Sequence, residues 1–268
     1  MAIYRAERFS PNAVSRDRAI MDAVCDMMDA AKLSVERMTE EAFAANGIDN
    51  VCADAIITMA RSQKALQMLC RIERERGTIV VNSPSRLLNM ARSAVEKAMR
   101  SNNIPAAPLY GTDGWWIKRG DQAAQDKGDV RFAATGQERD NIIKEFKERG
   151  ISDIVVTAHV KGDLVKFYGV KGTGFFFCCY PTDGTYSKFG DERLNGAALH
   201  TPFSQKSLNS HAEALATITG IDIYGGDCIV RADGSYAVID FNDFPSFAAC
   251  RKEAAEAIAK ALKKRMTE

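Results

Sequence analysis

What this chain lacks narrows it first. No apolar run in its 268 residues is long enough to span a bilayer. The first residues, Met1-Ala2-Ile3-Tyr4-Arg5-Ala6-Glu7-Arg8, are charged and carry no signal-peptide apolar region, so a cytoplasmic protein without a membrane partner is expected. There is no excess of charge of one sign. Lys and Arg number 36 and Asp and Glu 35, a formal +1, which leaves no electrostatic footprint for nucleic acid. The seven cysteines include no Cys-x-x-Cys pair and read as reduced, mostly buried thiols. His159, His200 and His211 have no metal-ligand spacing, and no Ser/His/Asp or Cys/His arrangement is legible. No Gly-x-Gly-x-x-Gly follows a strand-like run, which removes support for a dinucleotide site.

What is present is a large apolar fraction, 46%, enough for one large core or two smaller ones. The first third alternates strand and helix signals. Residues 2–9 and 51–59 read as strands and 78–82 as another. Helices are expected from a Ser15 cap to about Leu33 and from Ser62 to Gly77. That alternation argues for a parallel sheet with helices on its faces. Ser83-Pro84 reads as the start of a helix through Met99, followed by the linker-like Asn102-Asn103-Ile104-Pro105-Ala106-Ala107-Pro108. Lys97 and Arg100 on that helix read as solvated.

The most informative stretch lies near the end. Tyr224–Val230 and Tyr236–Pro245 are apolar runs joined by Arg231-Ala232-Asp233-Gly234-Ser235, a β-hairpin signal. Asp240 and Asn242 are two apart, so they share a strand face, and antiparallel pairing brings them to Asp227. Two carboxylates and an amide oxygen suit Mg²⁺, which takes one or two carboxylates plus substrate phosphates. Asp and Asn at strand ends also serve as turn and cap residues, and the hairpin alone does not decide between the two.

The middle of the chain adds cations. Residues 114–118 form a short strand ending in Lys118. The polar, Gly-bounded stretch Gly120–Gly128 follows, with Lys127 inside it, and then a strand at 130–133. Such a loop can turn N–H groups toward phosphates, with Lys118 and Lys127 adding charge, or be an ordinary hairpin loop. A helix at 136–149 and strands at 153–160, 164–170 and 175–180 come next, the last fully apolar and so expected to be central. Lys166, between Val165 and Phe167, either snorkels or faces a ligand together with Tyr168. Residues 186–196 form a long charged loop of a kind that is often functional. Helices are expected from Ser204 or Ser207 to Gly220 and over 249–264.

This ordered set resembles the ATP-grasp superfamily, in particular its glutathione-synthetase-like and ribosomal-protein-glutamate-ligase-like branch. The residues that carry the resemblance are Lys118, the Gly-bounded loop, the 154–163 strand, Lys166, Asp227 and Asp240-x-Asn242-x-x-Pro245, with Ile104-Pro105 as the link. It implies an α/β (α+β) protein: a small N-terminal α/β domain at 1–82 and an ATP-grasp domain at 83–268, with a lid-like part at about 106–160. It implies ATP and one or two Mg²⁺, or Mn²⁺, held by Asp227, Asp240 and Asn242. Arg92, Lys118, Gly120, Lys127 and Gly128 would serve the phosphates, and Asn195 would lie near them. Thr157, Ala158, His159 and Val160 would form the adenine hinge. Asp163 would take the ribose, because the carboxylate usual near residue 157 is missing. Arg119 stands where proline is common, and Asp240 where glutamate is commoner. Lys166 would face the transferred phosphoryl group. Arg193 and Arg251, with Lys188 and Ser246, are the acceptor candidates. The implied activity is a carboxylate–amine or carboxylate–thiol ligase working through an acyl phosphate on a small molecule or peptide. A small-molecule kinase of the same fold, similar to inositol-phosphate kinases, and a non-catalytic nucleotide-binding protein are the alternatives. A homodimer is compatible with all three.

Overall fold

The computed structural model describes residues 1–122, 124, 126–183 and 197–267. Three sheets organise these residues. The first is parallel, with strands β1 (Ala2–Tyr4), β2 (Arg37–Thr39), β3 (Ala55–Thr58) and β4 (Ile79–Val81) in the order β2-β1-β3-β4. Helices α1 (Val14–Ala30), α2 (Glu40–Asn46) and α3 (Gln63–Arg76) link them. The α3 ends follow from sequence. The Ser62 hydroxyl accepts from the Ala65 N–H, and Gly77 closes the helix in a left-handed conformation at φ 68°. Ala65, Leu66, Leu69 and Ile72 form its buried stripe. At α1 the expected Ser15 cap is not used; the helix starts at Val14 with no side-chain cap. Strand β2 and helix α2 had no counterpart in the sequence reading.

The expected helix over 84–99 is two: α4 (Pro84–Leu87) and α5 (Arg92–Ser101). The break has a tertiary cause. The Ser93 N–H donates to the Gly120 carbonyl and Arg92 Nη1 to the Arg119 carbonyl, which turn the start of α5 toward the second sheet. That sheet is small and antiparallel, β6-β5-β7, from β5 (Trp115–Arg119), β6 (Val130–Ala133) and β7 (Ile154–Ala158). It packs α6 (Gly136–Glu148) over a core of its own that includes Ile117, Ile142 and Phe146.

The third sheet runs β11-β10-β8-β9, from β8 (Asp163–Val170), β9 (Phe175–Cys179), β10 (Ile223–Val230) and β11 (Tyr236–Asp243). Strand β9, expected to be central, lies at the edge. Its apolar run reflects two covered faces, not two strand neighbours. Phe175, Phe177 and Cys179 pack with α1 and α8 (Arg251–Thr267), and Phe176 and Cys178 pack on the other side with α7 (Gln205–Thr219). One hydrophobic core joins the first sheet to the third: Ala2, Ile57 and Val81 belong to the same cluster as Tyr168, Ile223, Phe244 and Ile258. The buried Asn82 side chain fastens this junction. It accepts from the Asp222 and Ile223 N–H groups and donates to the Ile223 carbonyl. Among the described residues no helix is long and apolar enough to cross a membrane.

Candidate active site

The hairpin of β10 and β11 places its acids as the alternation of strand faces requires. Asp227 pairs with Asp240, and Gly225 with Asn242. On the other side of β10, Asp227 pairs with Lys166 of β8. Lys166, Asp227 and Asp240 therefore stand on one rung across three strands. The Lys166 ammonium lies 3.1 Å from the Asp227 carboxylate. A register shift follows Asp227, a bulge of the kind that re-aims a side chain beside a site.

Like charges directly opposite in a sheet repel, so the pair needs cations. Lys166 serves Asp227. Arg92 Nε lies 3.6 Å from Asp240, and the buried Lys118 donates to the Ile239 carbonyl at 2.8 Å. Burial pushes the Asp240 carboxyl up, but Arg92 and Lys118 outweigh it and hold the group below the ordinary carboxylate range. Burial lowers the Lys118 ammonium, against the pull of Asp240.

These groups line one cleft of about 1020 Å³. Thr157, Ala158, His159 and Val160 form its far wall beside Trp116 and Phe132. Trp116 Nε1 donates to His159 Nδ1 at 3.1 Å, and the Phe132 and His159 rings meet edge-on at 5.5 Å. Burial lowers the His159 pKa. Leu164, Ile229 and Ile239 add an apolar floor. An apolar slot with a cationic mouth fits a nucleobase with its phosphates toward the hairpin.

The remaining expected residues are placed unevenly. Lys127 lines the cleft with Ala124 and Asp126. Gly120 and Gly128 have other duties. The Gly120 N–H donates to the Asp153 carbonyl, and the Gly128 N–H to the Asp126 carboxylate in a capping box. Asp163, expected at a ribose, accepts from the Leu199 and Thr201 N–H groups and holds that segment instead. Arg251 opens α8 and does not line the cleft, whereas Ser246 does. Lys188, Arg193 and Asn195 lie outside the described residues.

Sequence reasoning missed several contributors. Trp116 of β5 and Phe132 of β6 join the expected His159, which directly follows β7. Arg5 and Arg61 follow β1 and β3 at the cleft's other end, and the Arg61 guanidinium lies 2.7 Å from Asp243. The usable signal was a cation shortly after an apolar strand of a parallel sheet, where ligands gather.

Among the described residues no group of three or more His, Cys, Asp and Glu is placed to hold a metal. The hairpin offers two carboxylates and one amide. That donor set fits Mg²⁺ completed by phosphate oxygens and does not fit a site that is all protein.

No protein-family model matches this sequence, and no curated protein sequence matches it. Solved structures do. The D-alanine–D-alanine ligase of Coxiella burnetii is similar over 100% of this chain and 96% of its own, with a TM-score of 0.67 at 13% identity. The D-alanine–D-alanine ligase of Bacillus anthracis, solved with ATP, is similar over 99% and 97%, with a TM-score of 0.65 at 11% identity. The ATP-grasp ligase PsnB, solved with a minimal precursor, is similar over 98% of each chain, with a TM-score of 0.63 at 13% identity. The fold of this chain, with its parallel sheet and two antiparallel sheets around one cleft, is the ATP-grasp fold.

Proposed function

We propose that the chain is an ATP- and Mg²⁺-dependent ligase that joins a small-molecule carboxylate to an amine through an acyl phosphate. In this reading residues 1–82 form the preceding domain, residues 83–268 the ATP-grasp domain, and about 106–160 its lid. The observation that carries it is the single rung Lys166–Asp227–Asp240, which faces a cleft with an apolar, aromatic-walled slot at its far end. The Bacillus anthracis ligase, solved with ATP, has the same fold, and the neighbours named above are titled as ligases.

The residues divide the work. Trp116, His159 and the apolar floor hold the base. Lys118 and Lys127 steady the phosphates. Asp227, Asp240 and Asn242 would hold Mg²⁺, which when bound neutralises phosphate charge. Lys166 stabilises the charge that moves as the substrate carboxylate oxygen bonds to the γ-phosphorus and ADP departs. The amine then forms the C–N bond and inorganic phosphate leaves. Nothing here asks the protein for a covalent step; positioning and electrostatics supply the rate.

The test is ADP release across a panel of carboxylates with an amine, with hydroxylamine present to trap an acyl phosphate. Acyl hydroxamate formed only with ATP and the acid supports the ligase. ADP release with polyols and no hydroxamate would replace it with a kinase. If Mg-ATP fails to raise thermal stability, both are wrong.

A further inference from the structure

The cleft face of the third sheet reads in three rungs. Leu164 of β8 pairs with Ile229 of β10 in the apolar floor. Two residues along, Lys166, Asp227 and Asp240 make the charged rung. Two residues further, Tyr168 pairs with Gly225 and Gly225 with Asn242, and all three line the cleft. Tyr168 lies about 7 Å beyond Lys166 along the strand. With a base over the floor and phosphates at the charged rung, the group that takes the γ-phosphoryl sits at the third rung. Asn242 has a task there as a metal ligand; Tyr168 has none so far.

Tyr168 stands apart from the other buried tyrosines. The Tyr224 hydroxyl donates to Glu213 at 2.9 Å, and Tyr236 meets His211 Nδ1 at 2.6 Å. Tyr168 is 8% exposed, and its hydroxyl has no hydrogen-bond partner among the described residues. A buried phenol usually finds a partner, and a bond left unmade is costly. The ring cannot swing to find one. It stacks on Phe177 at 6.5 Å and meets Phe247 at 5.5 Å. A Cβ on Gly225 would come within 3.0 Å of it, so only glycine leaves the ring its place. The cleft is the side from which a partner can come. Lys166 and Asp227 are near enough to act on the hydroxyl, and burial raises its pKa, so it keeps its proton and donates.

We propose that Tyr168 is a further catalytic residue: its hydroxyl donates to the carbonyl oxygen of the acyl phosphate and steadies the negative charge that gathers there when the amine adds. The proposal rests on the ligase reading. In this step the amine nitrogen bonds the carbonyl carbon, and the carbonyl π pair moves onto the oxygen that faces Tyr168. The pair returns as the C–O bond to phosphate breaks, and the proton of the amine leaves on inorganic phosphate. Tyr168 keeps its own proton throughout. A rigid donor aimed at an oxygen that gains charge only in the transition state is worth more than one in water.

Rapid quench reads both steps, with MgATP, a panel of amino acids, hydroxy acids and dicarboxylic acids, and hydroxylamine as the amine. Tyr168→Phe removes one oxygen and keeps the ring. Hydroxamate should form roughly 10²-fold more slowly, the worth of one donor at an oxyanion. ADP formed in the first turnover should stay within a few-fold, and the MgATP thermal shift should persist. The variant should unfold at the wild-type temperature, because the oxygen it loses bonds nothing among the described residues. A clear loss of stability, or failure to fold, gives the hydroxyl a structural task and overturns the proposal. So does hydroxamate formed at the wild-type rate, or ADP slowed as much as hydroxamate. The two readings part here. ADP and hydroxamate that ignore the substitution sink only the role of Tyr168, while no ADP with any acid sinks the ligase and the role together.

Discussion

At the hairpin end of the cleft, two carboxylates face each other across a strand pair and three cations from three other segments hold them there. At the arginine end, Asp17 meets Arg5 at 3.0 Å, and Asp243 meets both Arg5 at 3.5 Å and Arg61 at 2.7 Å. The first arrangement sits one rung deep on a sheet whose faces are both packed, so its geometry is set by backbone pairing. The second is set by turns that one buried glutamate pins. The contrast is one of positioning: strand register fixes the first end, and turns between elements fix the second.

The sharpest way to break this contrast is at Asp240. Asp240→Asn keeps the shape of the side chain and removes the charge that Arg92 and Lys118 stabilise. ADP release should fall roughly 10²- to 10³-fold, the cost of deleting one electrostatic group at a reacting centre. If ADP release stays within a few-fold, the hairpin does not carry the chemistry.

Asn82 tests what keeps the two ends in register. It is fully buried and satisfies two backbone donors and one acceptor at the start of β10. Asn82→Ala leaves those groups unpaired and should cost about 3 kcal/mol, read as a lower urea midpoint. In the protein that remains folded, MgATP affinity should drop; unchanged affinity would mean that Asn82 does not position the hairpin.

Gly226 probes the hairpin from inside. A Cβ there would come within 2.3 Å of the Asp240 carbonyl oxygen and 2.4 Å of the Phe167 ring. Backbone and a packed ring both resist, so Gly226→Ala should cost about 1–3 kcal/mol in thermal or urea unfolding. The shift should also reach activity, because the atom displaced belongs to Asp240.

How much of this was legible depended on whether the determinants were local. The hairpin was: an Asp-Gly turn between apolar runs sets the register, and register sets which side chains meet. The caps of α3 and α7 were legible for the same reason, since Ser62 with Gly77 and Ser204 with Gly220 act within a few residues. The break between α4 and α5 was not, because its cause is a hydrogen bond from Ser93 to Gly120. Strand β9 was misplaced because an apolar run reports covered faces and is silent on lateral neighbours. Gly120, Gly128 and Asp163 looked available for a ligand; the Gly120 N–H bonds the Asp153 carbonyl, the Gly128 N–H bonds Asp126, and Asp163 accepts from the Leu199 and Thr201 N–H groups. The arginine end was illegible for the strongest form of this reason. Residues 5, 16, 61 and 243 share no segment, and only the strand order of the sheet brings them together.

The smallest expected effect lies at the aromatic wall. His159 Nδ1 accepts from Trp116 Nε1, so that nitrogen must be unprotonated, and burial lowers the pKa of the ring. The unfolded chain then holds the proton at a pH where the folded chain has lost it. Stability from this group is complete above the ordinary histidine value, about 6.5, and declines as pH falls toward the lower folded value. Below the folded value the ring is charged, Nδ1 becomes a donor facing a donor, and the slot for the base is disturbed. MgATP affinity should therefore weaken a few-fold on acidification through this range, measured by calorimetry at fixed ionic strength. His159→Gln, which cannot titrate, should flatten that dependence. If the wild-type and His159→Gln curves run parallel, the aromatic wall does not hold the base, and the division of the cleft loses its nucleotide half.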